Sequence, residues 1–300
     1  MSKRVWWIVV LSLAVLSLIG CCCCSLSRRV SPQMLQQRVN TGSVRRDERR
    51  INLEGAEGVD VTVQFGGGEL TIESGSDGLL DGEFTYNLAD LEPEIAYDVA
   101  DGRGKLRIQH KEDVIRWDRA TTEVRNEWVL RLTDRVPLTL DVDVGASRGE
   151  LDLGGLRLTD LNLVSGAAEL RVRFDQPNPE RLASMHIRSG AAKLELRDLG
   201  NANLEELTFD GGLGAYILDF GGEWRHSARV EIQAGASRIS LRVPSHIGVR
   251  VCAGDLQDGD YDGLAEQEGC YVNPLYGESD ITLDIDLDLG LGKLDVVQTD

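Results

Sequence analysis

Leu161-Asn-Leu163-Val-Ser-Gly166-Ala-Ala-Glu-Leu170-Arg-Val172 is the stretch that decides the fold, and Met185-His-Ile187-Arg-Ser-Gly190-Ala-Ala-Lys-Leu194-Glu-Leu196 repeats it 24 residues later. Apolar residues stand five and three before the glycine and four and six after it. A strand sends alternate side chains to one face, so each pair marks a strand with one buried side. The inner members of the two pairs are seven apart, an odd number, so the chain must bend or bulge at the glycine to keep both pairs on one side. The same frame surrounds Gly66, Gly102, Gly145, Gly166, Gly190, Gly212, Gly235 and Gly290. The Gly145 copy reads as carrying two extra residues, which moves its second pair to Leu151 and Leu153. From Gly145 to Gly235 the steps are 21, 24, 22 and 23 residues, a period that marks a stacked repeat. The expected class is therefore all-β: a β-solenoid-like stack of strand–Gly corner–strand repeats with an irregular N-terminal β-rich part.

Composition fits a narrow aliphatic core: of 300 residues 42% are apolar but only 5% aromatic. Lys3 and Arg4 precede an apolar run from Val5 to Gly20, the pattern of a signal peptide over residues 1–20. The run ends in Leu18-Ile19-Gly20-Cys21, which resembles a bacterial lipobox; Cys21 is then the lipidated residue, and the expected location is extracytoplasmic and membrane-anchored. The alternative is an uncleaved anchor, since Val5 to Cys24 is long enough to span a bilayer. Residues 21–50 read as a basic linker: seven arginines against Asp47 and Glu48. Such a segment is drawn to anionic lipid, making membrane lipid a partner. The chain carries −18 overall; loss of Lys3 and Arg4 makes it −20, and setting aside the +5 of the linker leaves −25 on residues 51–300. That sign argues against nucleic acid.

Residues 51–144 form the expected β-rich N-terminal part, with turn clusters and wide glycine spacing. Residues 145–300 form the repeat solenoid, interrupted by a loop excursion over 252–279. Within the repeats, Ser165-Gly-Ala-Ala-Glu-Leu170, Ser189-Gly-Ala-Ala-Lys-Leu194 and the ending Leu283-Asp-Ile-Asp-Leu-Asp-Leu-Gly-Leu-Gly-Lys-Leu294 resemble the bacterial toast-rack proteins. These are related to the putative-adhesin β-repeat family and to the extracytoplasmic domain of LiaF-type envelope stress regulators. The resemblance spans roughly residues 55–298. It implies a β-solenoid-like fold at the cell surface with no established catalysis, and hence a role in surface binding, adhesion or stress sensing. The rival class is a carbohydrate-active enzyme, lyase or hydrolase, on a β-helix scaffold.

Sequence motifs for chemistry are sparse. His110, His186, His226 and His246 stand apart, with no metal-ligand spacing, and carboxylates are too abundant for any pair to be singled out as catalytic. Asp258, Asp260 and Asp262, followed by Gly263, match the first half of a calcium loop; the closing glutamate position is Gly269, and an acidic turn is the alternative. Cys252 and Cys270 are the cysteines of the exported body and are expected to pair as a disulfide, two free thiols being the alternative.

The repeat register also sorts the outward residues. Before the glycine they include Asp98, Asp141, Asp143, Asp210, Glu231, Asp286 and Asp288, an acidic face. After it come Arg107, Arg171, Arg173, Arg197 and Arg242. Arg171, Arg173, Arg197 and Arg242 are the expected ligand face for an anionic envelope polymer or an acidic protein. The competing expectation is that they pair with nearby carboxylates such as Glu169, Glu195 or Asp219.

Overall fold

The computed structural model describes residues 41–110, 124–254 and 259–299. The chain opens with β1 (Arg45–Ile51), β2 (Gly58–Ser74), β3 (Leu80–Tyr86), β4 (Pro93–Ala100), β5 (Arg103–His110) and β6 (Asn126–Leu132). It continues through β7 (Leu138–Asp152), β8 (Leu158–Ser165), β9 (Glu169–Arg173), β10 (Leu182–Arg197), β11 (Leu204–Asp219) and β12 (Ala228–Pro244). It closes with β13 (Gly248–Cys252), β14 (Gly259–Asp262), β15 (Ala265–Gln267), β16 (Cys270–Val272) and β17 (Thr282–Thr299).

The long strands continue through their glycine corner, so each contributes a first and a second arm to one continuous sheet, whose two arms are the first-arm and second-arm sheets below. Layers stack in parallel: β2 on β7, β7 on β8 and β9, these on β10, then β11, β12 and β17. The last strand does not end the stack. It lies between β12 and a further layer made of β13 on one sheet and β14 on the other. At the opposite end β2 carries β5 on its first arm and β6 on its second. Antiparallel strands finish both ends: β4 on β5, and β3 then β1 beyond β6; β16 then β15 beyond β13.

The inward side chains of both arms share one continuous aliphatic core. Leu161, Leu163, Leu170 and Val172 are buried, as are Met185, Ile187, Leu194 and Leu196 and their equivalents in the other layers. The parity change is achieved by two successive outward residues, the glycine and the one after it. In β10, for example, Gly190 and Ala191 are exposed while Ser189 and Ala192 are buried. The first glycine of each corner serves close stacking, whereas Gly68 and Gly292, two residues on in their corners, have φ of 120° and 137°. A Cβ on Gly145 or Gly212 would sit well inside 3.0 Å of the carbonyl oxygen of Gly66 or Gly190 in the layer beneath. Each corner backbone thus rests on the previous one.

Four expectations change at this level. Gly102 is not a corner: β4 and β5 pair antiparallel, with Ala100 opposite Arg103. Asp101 and Gly102 there have φ of 51° and 77°, the two positive values a tight hairpin turn needs. Second, the Gly145 layer has no insertion, because Gly149 pairs with Leu70 and Leu170, and Leu151 with Ile72 and Val172. Gly149 occupies an inward position, and its missing side chain is replaced by Leu170, whose Cδ2 lies 2.5 Å from where a Cβ would be. Third, the basic segment up to Arg50 is not all linker: Arg45, Arg46, Arg49 and Arg50 lie in β1, paired along β3. Fourth, residues 252–279 contain β14, β15 and β16 and close the stack, and the division at 144 falls inside β7.

Candidate binding surface

The outward side chains form columns, since parallel neighbours are about 4.8 Å apart. On the first-arm sheet the positions four and two before each glycine read Asp141 and Asp143, Asn162 and Val164, His186 and Arg188, Thr208 and Asp210, Glu231 and Gln233, Asp286 and Asp288. Toward β17 this becomes an acidic strip. A groove of about 480 Å³ runs there beside the glycine corners, lined by Asp210, Gln233, Asp288 and the backbone of Gly212, Gly235 and Gly290. An adjoining hollow adds Glu231 and Asp286 and shares Gln233 and Asp288. None of these four carboxylates has a cation within ion-pair distance among the described residues. Asp284, one turn of the pleat away, is held by Arg250 at 2.7 Å.

The second-arm sheet is organised oppositely. Arg171 bridges Glu150 at 2.8 Å and Glu195 at 3.3 Å. Arg173 pairs with Asp152 at 2.5 Å, Arg197 with Glu195 at 2.5 Å, and Arg242 with Asp219 at 3.3 Å. A parallel ladder joins Glu69, Arg148, Glu169 and Lys193. Each of the four arginines expected to meet a ligand is therefore already matched by a carboxylate, mostly from an adjacent layer. Glu195 is 9% exposed. Burial pushes its carboxyl upward, but hydrogen bonds from Arg197 and Arg171 outweigh that and hold it below the usual range. The competing expectation of pairing with carboxylates is met for Arg171 and Arg197 by Glu195 and for Arg242 by Asp219; Glu150 and Asp152, each 21 residues from its arginine, are brought in by the stacking of layers.

Of the other predicted sites, Cys252 and Cys270 are joined in a disulfide with Cα atoms 4.4 Å apart. They continue the antiparallel β13–β16 register, where Val251 faces Tyr271. Beside them Tyr271 stacks on Tyr261 of β14 with ring centroids 3.5 Å apart, closing the end of the core. Asp260 and Asp262 lie on β14, an extended strand paired with β17, and not on a ligand-wrapping loop; Asp258 and Cys21 lie outside the described residues. Among the described residues no group of three His, Cys, Asp or Glu side chains is placed to hold a metal ion.

Among the described residues, His110 is the titratable group that burial shifts most strongly. It is 7% exposed, with its ring 4.6 Å from Trp128 and 5.7 Å from Phe65. Its Nδ1, Asn126 Oδ1 and Trp128 Nε1 have no hydrogen-bond partner. Burial lowers its pKa to about 4, the Leu91 backbone opposing this by less. The folded value lies below the unfolded one of about 6.5, so the neutral ring's contribution is fully present above that pH. It is lost as pH falls toward 4, by about 3 kcal/mol. Urea titrations at falling pH should show wild type losing that much relative to His110→Phe. Parallel losses in the two proteins would show that His110 is not the source.

The family model describing the N-terminal domain of toast_rack (DUF2154) matches residues 40–197 and again residues 176–242. No curated protein matches the chain. Among solved structures, a "putative cell adhesion protein" from Clostridium sporogenes is similar over 86% of this chain and 100% of its own, at 22% identity and a TM-score of 0.47. A "putative adhesin" from Bacteroides fragilis is similar over 86% and 97%, at 9% identity and a TM-score of 0.39. For a "putative lipid binding protein" from Parabacteroides distasonis the figures are 86% and 98%, at 12% identity and a TM-score of 0.36.

Proposed function

The chain belongs to the toast-rack family, and from that premise we propose that it is a membrane-tethered, extracytoplasmic binding protein of adhesin type, without catalysis of its own. The N-terminal basic-apolar segment ending at Cys21 supports the tether, and a disulfide in the cap suits an oxidising compartment. The stack supplies a rigid support whose two faces differ in charge. The observation that carries the reading is the groove of carboxylates at Asp210, Glu231, Asp286 and Asp288, none in an ion pair among the described residues, beside the corners of β11, β12 and β17. Uncompensated charge on one face raises the local concentration of an oppositely charged partner and speeds its encounter. A partner bearing amines or guanidinium groups fits this groove. The arginine face would have to break existing ion pairs before it could take an anionic polymer or an acidic protein.

The test is binding of the detergent-solubilised protein to immobilised polylysine and to an anionic wall polymer, at low and high salt. Polylysine should bind at low salt and release at high salt. Converting the four groove carboxylates to their amides should weaken that binding at least tenfold while leaving the melting curve in place. Binding of the anionic polymer alone, abolished by replacing Arg171, Arg173, Arg197 and Arg242 with serine, would move the binding site to the other face and overturn the groove assignment.

A further inference from the structure

Across the corners of β11, β12 and β17 the outward residues form a pattern that is complementary to itself. Two before the glycine stand Asp210, Gln233 and Asp288, and the glycines Gly212, Gly235 and Gly290 floor the groove beside them. The residue after the glycine is Leu213, Ala236 and Leu291 in successive layers, and the two leucines are 59% and 74% exposed. Large aliphatic side chains left in water on a rigid ridge, two layers or about 10 Å apart, mark a contact surface. On the far side of the ridge, three after the glycine, stand Ala215, Arg238 and Lys293. Lys293 holds Asp295 at 2.5 Å. Arg238 is exposed and is in no ion pair among the described residues. Along each strand the order is therefore polar or acidic, glycine, small or aliphatic, then small or basic.

A half-turn about an axis parallel to the stack exchanges these positions between two facing copies. Each layer then meets the same layer of the other copy, and each glycine meets the residue that follows it. Leu213 and Leu291 of one copy rest on Gly212 and Gly290 of the other, and Ala236 meets Gly235. The position two before the glycine meets the position three after it. The partner's Arg238 thus stands over Gln233, with Asp210 and Asp288 in the layers on either side, each about 4.8 Å along the stack. We infer that this protein forms a two-fold dimer through this ridge, and that the guanidinium taken by the groove is Arg238 of a second copy. The inference rests on the groove reading above and supplies its partner. A guanidinium presents a fork of donors, so one arginine can serve both carboxylates. Like charges bound the contact: Arg188 would face Lys193 in β10, and Asp286 would face Asp295 in β17. Lys193 is held aside by Glu169 at 3.1 Å and Asp295 by Lys293. Both arms also bend back from the ridge toward their shared core, which takes Asp286 and Asp295 out of reach. A half-turn about an axis across the ridge would set carboxylate against carboxylate, which disfavours that arrangement. Since both copies use the same patch, the contact is isologous and closes at two. Both N-termini lie at one end of the dimer, as two chains tethered to one membrane require, and tethering raises the effective concentration for a contact of modest size.

Sedimentation equilibrium of the full chain in mild detergent tests this. Mass at low salt should rise with concentration from one chain and level off at two. Arg238→Asp should raise the dissociation constant of the dimer at least tenfold, and so should Asp210→Arg with Asp288→Arg. Mixing those two variants restores opposite charges at both ends of the two-fold, and a dimer of one chain of each should form about as tightly as wild type. That recovery separates a specific contact from loss of folding. Leu213→Ser with Leu291→Ser should weaken the dimer at least tenfold with every charge in place. Polylysine separates the dimer from the groove: the single-chain Arg238→Asp variant should bind it at least as tightly as wild type, because no partner fills its groove. A wild type that binds polylysine but stays a single chain would overturn the dimer and leave the groove standing, and one that does neither would overturn both. Mass rising past two chains, or a dimer that survives Arg238→Asp, would also overturn the inference.

Discussion

Replacing Asn178 by alanine should lower the unfolding free energy by roughly 3 kcal/mol or more, well above the typical cost of a single substitution. Asn178 lies in the turn between β9 and β10 and is fully buried. Its Nδ2 donates to the carbonyls of Leu158 at 2.8 Å and Ala202 at 3.1 Å. Its Oδ1 accepts from the backbone N–H groups of Leu158 and Glu180, each at 3.1 Å. One side chain thus ties the starts of three successive layers. Removing it strands backbone groups that water cannot reach. Asn203, which makes one such bond to the Glu180 carbonyl from a half-buried position and has a φ of 57°, is the control, and its alanine variant should lose about 2 kcal/mol, roughly half from the hydrogen bond and half from the left-handed backbone. Equal losses for the two variants in urea unfolding would mean that the turn, and not the buried network, sets the cost.

A graded effect is expected along the glycine corners. Gly145→Ala and Gly212→Ala place a methyl group against a carbonyl oxygen held between two layers. Neither neighbour can retreat without disturbing its own ladder, and a cost of about 3 kcal/mol follows from overpacking. At Gly166 and Gly290 the corresponding approaches are 3.3 Å and 3.2 Å, so the alanine variants should lose only about 1 kcal/mol. Thermal melts of the four variants check this, and an equal drop at Gly166 and Gly212 would sink the stacking explanation. The same corners bear on the proposed binding groove, whose floor is the backbone of Gly212, Gly235 and Gly290. A bulkier corner would alter the spacing of Asp210 and Asp288 above it.

The repeat, the all-β class, the inward residues and the acidic character of the first arms were legible because each depends on the period-two alternation within a single strand. Leu161, Leu163, Leu170 and Val172 are buried for the reason their spacing predicts. Where a local pattern admits two geometries, tertiary pairing chose. Tyr97, Val99, Leu106 and Ile108 alternate as a corner would, yet antiparallel pairing makes them a hairpin around Asp101 and Gly102. Gly149 appeared to lengthen its repeat, but the side chain of Leu170 fills its place from the neighbouring layer. For the arginine face the sequence left two expectations open, a ligand or ion pairing, and the ion pairs are present. Whether Arg171 is free depends on Glu150 and Glu195, which are brought beside it only when three layers stack. The sequence alone determines which side chains point in or out, since that follows from bonds along the chain. Which strand lies next to which, and therefore which charges are cancelled and which are left open in a groove, is decided by hydrogen bonding between strands that are distant in sequence.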